Sequence, residues 1–305
     1  MCCLPAQVGK ERSAMISPAL VSEIESRSGI RLLPETCQVA SGGCIHESCF
    51  VEDDSGSPFF LKQNRSNQLS LFEAESTGLT LLEQSKTIRV PHPITHGTCK
   101  DRAFLLMEGL HLRSDSSDRA SENLAVHLSR LHQARAPDDR FGLDSDNFIG
   151  ATPQPNCPSS SWADFFTANR LEHQFQLASK LGKTFREQDA LLSRVHGHLA
   201  SLDIQPTLSH GDLWGGNAAF LEDAVPIVFD PAAYYADPET DIAFTHLFGG
   251  FTPRFYEAYR ERHPAPEPER EAIYNLYHVL NHFVLFGGGY ASQAERMITR
   301  LLQRL

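Results

Sequence analysis

The sequence predicts an α+β chain in two lobes, a small β-rich one followed by a larger, mainly helical one. Three observations carry this. Residues 37–63 alternate polar and apolar side chains around turn signals, Ser41-Gly42-Gly43 and Asp53-Asp54-Ser55-Gly56, as strands joined by tight connections do. Residues 103–108, Ala-Phe-Leu-Leu-Met-Glu, form a short apolar strand closed by Gly109, after which the composition turns polar and helical. The stretch 239–305 reads as helix almost throughout. A chain of 305 residues suits either one large domain or two lobes sharing a cleft, and the break at Gly109 favours the second.

In chain order, residues 1–16 read as a leader, 17–108 as the first lobe and 109–305 as the second. Pro18 to Ser28 carries Leu20, Val21 and Ile24 at helical spacing, with Ser17 placed to cap and Gly29 to stop. Strand, Gly-rich turn, strand, hairpin and strand follow, the last being Pro58-Phe59-Phe60-Leu61-Lys62. Leu69 to Ser85 is helical, with Leu71, Phe72, Leu79 and Leu82 near one face and Pro91 and Pro93 beyond its end. A helix over 118–134 turns Leu124, Leu128 and Leu131 inward. Residues 137–161, rich in Pro, Asp, Asn and Ser, read as an ordered or substrate loop. Helices over 162–181 and 185–202 precede two short strands, Thr207–Ser209 and Ile227–Phe229. Pro264-Ala265-Pro266-Glu267-Pro268 links the terminal helices.

Apolar residues make up 41% and charged residues 21%, a balance that builds a core rather than a disordered chain. The net charge of −11 opposes nucleic acid as a partner. It is compatible with a nucleotide, which brings its own magnesium and needs only a local positive site. Seven cysteines, odd in number and irregular in spacing, predict reduced thiols in a cytoplasm rather than a disulfide framework. No apolar run is long enough for a membrane span, and the segment after Cys2-Cys3 is polar. No H-E-x-x-H or G-x-S-x-G pattern points to zinc or to a serine hydrolase.

The chemistry concentrates in His210-Gly211-Asp212-Leu213-Trp214-Gly215-Gly216-Asn217. Asp212 and Asn217 have the spacing of a kinase catalytic loop, H-x-D-x-x-x-x-N. Asp212 would orient the acceptor hydroxyl and Asn217 would hold a metal. Asp230 ends the next apolar strand, where a kinase places its second metal ligand. A lone H-G-D would favour a mere capped turn at His210 and Asp212, and Asn217 and Asp230 in register reverse the balance to phosphoryl transfer. Lys62 closes a strand and Glu75 rides the following helix, so an ion pair between them would hold the lysine against ATP phosphates, with Glu73 as the competing partner. Gly42, Gly43 and Cys44 lie in a loop whose backbone N–H groups could approach those phosphates; no G-K-[ST] follows, so it is not a Walker A loop. Cys44 is read either as a passive thiol or as a redox-sensitive one.

Leu208–Asn217, Phe229–Ala243, Phe248-Gly249-Gly250-Phe251, Phe255–Tyr259, Leu285–Gly288 and Phe141–Asn156 together resemble the fructosamine kinase (ketosamine 3-kinase) family, over about residues 18–302. The resemblance implies a protein-kinase-like fold related to the aminoglycoside phosphotransferases. It implies transfer of the ATP γ-phosphate, with Mg²⁺, to the 3-hydroxyl of a small-molecule ketosamine or a glycated protein, in a monomer or homodimer. It implies Asp212 as base, Asn217 and Asp230 as magnesium ligands, and Lys62 with Glu75 as the phosphate anchor. Met107, Glu108 and Gly109 would meet adenine through backbone groups, and Trp214 would lie against the sugar or in the core. Asp237 and Asp241 are read as structural, Asp241 bracing the catalytic loop. Ala232-Ala233 stands where members often have Ala-Cys, and His46 lies in the Gly-rich region. A kinase of another alcohol, such as an aminoglycoside or choline, and a nucleotide-binding pseudokinase are the alternatives.

Overall fold

The computed structural model describes residues 16–40, 46–265 and 268–305. Two compact units are present, one from the residues up to Ser76 with Pro91–His111, the other from Thr77–Val90 with Leu112–Leu305.

The first unit opens with α1 (Pro18–Ser28). The Ser17 hydroxyl accepts the N–H of Leu20 at 3.2 Å and Gly29 closes the helix at φ 74°, the cap and stop expected. Ile16, assigned to the leader, is instead only 2% exposed. It falls four residues before Leu20 and eight before Ile24, and packs in one cluster with them and with Cys49, Leu61, Phe104 and Leu106. Strands β1 (Leu32–Val39), β2 (Glu47–Asp53), β3 (Pro58–Arg65), β4 (Pro93–Cys99) and β5 (Arg102–Glu108) form one antiparallel sheet ordered β1-β2-β3-β5-β4. The β2–β3 turn is held by Asp53, whose Oδ1 accepts the N–H groups of Ser55 and Ser57, both at 2.9 Å. Strand β4 was not foreseen. Its prolines suggested only a helix stop, yet Pro93 begins an edge strand, a position that tolerates a missing donor. Helix α2 (Leu69–Ser85), whose residues from Thr77 onward belong to the second unit, buries Leu71, Phe72, Leu79 and Leu82 as expected.

In the second unit, α3 (Asp118–Leu131) is capped by Ser117 and buries Leu124, Leu128 and Leu131. The stretch read as loop, 137–161, contains a hairpin of β6 (Asn147–Ile149) and β7 (Thr152–Gln154), too short for a period to show. Helix α4 (Trp162–Phe166) runs through a wider π-helical stretch, Thr167–Glu172, into α5 (His173–Lys180). After α6 (Gln188–Ala200) come β8 (Thr207–Ser209), β9 (Ala218–Phe220), β10 (Pro226–Val228) and β11 (Tyr234–Ala236), paired antiparallel as β8–β11 and β9–β10. Helices α7 (Glu239–Leu247), α8 (Pro253–Arg260), α9 (Pro268–Phe286) and α10 (Tyr290–Arg304) complete the unit. Trp162, Phe165, Phe166, Phe175, Tyr274 and Leu280 belong to its main apolar cluster. At about 1.5–3 kcal/mol per fully buried large side chain, that cluster is the chief source of stability here. Among the described residues no helix is long and apolar enough to cross a membrane.

Candidate active site

The segment between β8 and β9 is an irregular loop anchored at both ends by a strand pair. Gly211 sits at φ 83°, and a Cβ there would lie 2.1 Å from the Ala232 carbonyl oxygen. Only glycine satisfies both the conformation and the approach. The Asp241 carboxylate of α7 accepts the N–H of His210 at 2.7 Å and of Gly211 at 2.8 Å. This is the brace expected of it. Burial pushes the Asp241 carboxyl up, but hydrogen bonds from His132 and the loop outweigh that and hold it below the usual carboxylate range.

His210 is buried. Its Nδ1 accepts the N–H of Asp212 at 3.3 Å and its Nε2 donates to the Phe229 carbonyl at 3.0 Å. Both nitrogens thus serve the backbone, and burial holds the imidazole below its ordinary pKa. The ring braces the loop and is not placed to take a proton from a substrate.

Asn217 donates through Nδ2 to the Asp212 carbonyl at 2.9 Å and to Asp212 Oδ2 at 3.2 Å. That commitment leaves the amide oxygen as the atom of this side chain that could meet a cation. Burial, and next the charge of Asp230, hold the Asp212 carboxyl well above its usual range. Asp230 itself is exposed, so the charge of a solvated carboxylate falls on the poorly solvated Asp212 beside an amide oxygen, a donor set suited to a hard divalent cation. Asp230 adopts φ 55°, uncommon for a non-glycine residue, and such strain gathers at functional positions. Among the described residues no three His, Cys, Asp or Glu side chains converge as a metal cage. Magnesium that also binds substrate phosphates commonly takes only one or two protein ligands. Trp214 is 39% exposed, so it is not a core residue.

In the first unit, Lys62 is nearly buried and its Nζ lies 2.6 Å from Glu75 Oε1. The pair forms with Glu75, the partner preferred over Glu73. Glu108 ends β5. Its N–H donates to the His92 carbonyl at 2.9 Å, and the N–H of Gly109 donates to the Pro58 carbonyl at 3.1 Å. Met107 is buried within the sheet. Both of those N–H groups are therefore already used, and Pro58 has none to return to the Gly109 carbonyl. Gly42, Gly43 and Cys44 lie outside the described residues.

Sequence reasoning passed over His132, whose Nε2 meets Asp241 at 3.0 Å and whose Nδ1 meets the Tyr259 hydroxyl at 2.7 Å. It also passed over Arg270, which reaches Asp237 through Nε at 2.8 Å and Nη2 at 2.7 Å. Neither lies near its partner in sequence, so no local pattern marks them.

The five-stranded antiparallel sheet, the helix-rich second unit and the loop from His210 to Asp230 define a phosphotransferase of the kinase-like class. A solved aminoglycoside phosphotransferase, APH(4)-Ia, shares this fold at a TM-score of 0.58 and 13% identity, over 93% of this chain and 97% of its own. The family description "Fructosamine kinase" matches residues 17–304, and the chain belongs to that family. A "Probable ketoamine kinase" of Synechocystis is 42% identical over 93% of this chain and 96% of its own length. A chloroplastic protein-ribulosamine 3-kinase of Arabidopsis thaliana is 34% identical over 96% of this chain and 92% of its own. A solved chain from Haemophilus somnus, described as a fructosamine-3-kinase, superposes with a TM-score of 0.84 at 30% identity, covering 93% of this chain and 97% of that one.

Proposed function

We propose that this chain phosphorylates the 3-hydroxyl of ketosamines, free or on protein lysines, using ATP and Mg²⁺. The observation that carries the reading is the packing of Asp212, Asn217 and Asp230 around one loop, in a chain of this family. Asp212 accepts a hydrogen bond from the acceptor hydroxyl and aligns its oxygen, and its raised pKa suits it to take the proton as the new bond forms. Asn217 Oδ1 and Asp230 would hold magnesium, which supplies charge neutralisation on the phosphates. Lys62, steadied by Glu75, would bind the α/β-phosphates. Met107, Glu108 and Gly109 would border adenine, with carbonyl oxygens rather than the N–H groups of Glu108 and Gly109 as the partners. Gly42, Gly43 and Cys44 would cover the phosphates. The exposed indole of Trp214, inside the same loop, would be a platform for the sugar.

The product chemistry is consistent with removal of a sugar adduct. Phosphate on C3 is a leaving group beside the C2 carbonyl. Enolisation through C1 expels it and leaves an unsaturated imine, which water hydrolyses to the free amine.

The test is ATP-dependent phosphorylation across ribulosamines, fructosamines, ribated protein and aminoglycosides. Ketosamine phosphorylation with aminoglycosides inert is expected. Asp212→Asn should lower kcat by about 1,000-fold or more while ATP affinity stays within about threefold, because the base acts on the acceptor. Turnover of an aminoglycoside alone, or an equal loss of ATP binding in Asp212→Asn, would overturn the assignment.

A further inference from the structure

Arg170 is fully buried. A guanidinium cannot shed its charge at ordinary pH, so a site that encloses one must supply acceptors and polarisable surface. Here Nη1 donates to the Pro155 carbonyl at 2.5 Å and Nη2 to Asn156 Oδ1 at 2.7 Å, and the plane lies over Tyr234 at 4.1 Å and Phe165 at 4.7 Å. The amide that Arg170 orients is itself a donor. Asn156 Nδ2 reaches Asn147 Oδ1 at 2.8 Å, and Gln154 Nε2 reaches the same oxygen at 2.7 Å. With its oxygen so fixed, Asn147 can point only Nδ2 toward the Ala233 carbonyl, which it meets at 2.9 Å. Gln154 Nε2 also lies 3.3 Å from the Ala232 carbonyl.

Those two carbonyls belong to the segment directly after Asp230. The Ala232 N–H donates to the His210 carbonyl at 3.0 Å, and the Ala232 carbonyl is the atom that excludes any side chain from Gly211. The chain from Arg170 through Asn156, Asn147 and Gln154 therefore ends on the peptide units that link the strained Asp230 to the catalytic loop.

We propose that this buried network is a positioning device that sets Asp230 and the His210–Gly211 turn in register for metal-nucleotide binding. Arg170, Asn156, Asn147 and Gln154 are positioning residues and touch no reacting atom. The proposal rests on the reading of Asp230 as a metal ligand.

The test measures Mn²⁺ binding by electron paramagnetic resonance on the full chain loaded with a non-hydrolysable ATP analogue, together with the Mg²⁺ dependence of turnover. Asn147→Ala should weaken Mn²⁺ binding and raise the half-saturating Mg²⁺ concentration, each by about tenfold, with the ketosamine KM within about twofold of wild type. Should Asn147→Ala not fold, the isosteric Gln154→Glu carries the same expectation. A lowered melting temperature with wild-type Mn²⁺ binding and Mg²⁺ dependence means that the network only stabilises the fold, and overturns the proposal. Asp230→Asn, run alongside, separates the two readings. Weakened binding there with wild-type binding in Asn147→Ala sinks the network alone. Unchanged binding in Asp230→Asn sinks the metal assignment and this proposal with it.

Discussion

The imidazole of His132 and the carboxylate of Asp241, 109 residues apart in the chain, meet at 3.0 Å in a fully buried contact. Asp241 spends its other acceptor capacity on the two N–H groups that open the catalytic loop. Asp241→Asn would turn an amide nitrogen toward at least one of these donors and leave it unsatisfied, worth about 1–3 kcal/mol. We expect a kcat lowered by at least about 100-fold and a melting temperature lower by about 3 °C or more. Wild-type kcat in a folded Asp241→Asn protein would show that the brace is dispensable.

Lys62 and Glu75 give a second prediction. Neutralising Glu75 takes from Lys62 a charged contact at 2.6 Å, and loss of one partner of a buried ion pair costs up to about 3–5 kcal/mol. Glu75→Gln should therefore melt earlier and lose about 10–100-fold in kcat/KM for ATP, with ketosamine KM little changed. Steady-state kinetics with each substrate varied in turn will tell; a rise confined to the ketosamine KM would contradict the phosphate-anchor role.

Two glycines of the same loop should fail in different ways. A Cβ at Gly211 meets rigid backbone at Ala232, whereas a Cβ at Gly216 would meet the Trp214 ring at 2.3 Å. Backbone cannot move aside cheaply and an exposed indole can. Gly211→Ala should lose about 100-fold or more in kcat along with stability. Gly216→Ala should fold normally and raise ketosamine KM by about fivefold or more at constant ATP KM, because only the indole is displaced. Equal effects on both substrates in Gly216→Ala would remove Trp214 from the acceptor site.

Acid should destabilise the chain well above the carboxylate range. Burial lowers His278, stacked on Phe244 at 3.7 Å, to about 3, and lowers His263 to about 4. Between these values and 6.5 the unfolded chain binds protons that the native chain refuses. Stability is therefore present above pH 6.5 and falls as pH drops, by up to about 1.4 kcal/mol per pH unit for each fully buried neutral histidine, less for the half-buried His263. Urea midpoints at pH 7.5, 6 and 5 should decrease in that order, and His278→Gln should flatten the trend. A midpoint independent of pH across this range would refute it.

The parts legible in the sequence are those whose signal is local. The cap at Ser17, the faces of α2 and α3, and the spacing from His210 to Asn217 are each written within a few residues of one another. Strands β6 to β11 span three residues apiece and leave no period to count. Arg170 sits in Thr-Ala-Asn-Arg, a polar run that reads as surface. Its burial is decided by Phe165, Tyr234 and Asn156, which only the tertiary fold brings together.

The wide winding of Thr167–Glu172 has a consequence for phase. Trp162, Phe166, Arg170, Gln174 and Ala178 are all buried, at an unbroken spacing of four. In a plain α-helix each such step overshoots a turn by about 40°, so the series would drift roughly halfway around the axis. A looser turn undershoots and cancels the drift, so that one face of the combined helix stays toward the core from end to end. Tightening these residues to plain α winding, with none removed, would keep the segment helical yet rotate everything after it by about 100°, one α-helical residue's worth. Phe175 and Ala178 would then turn away from the core, a defect of timing rather than of composition.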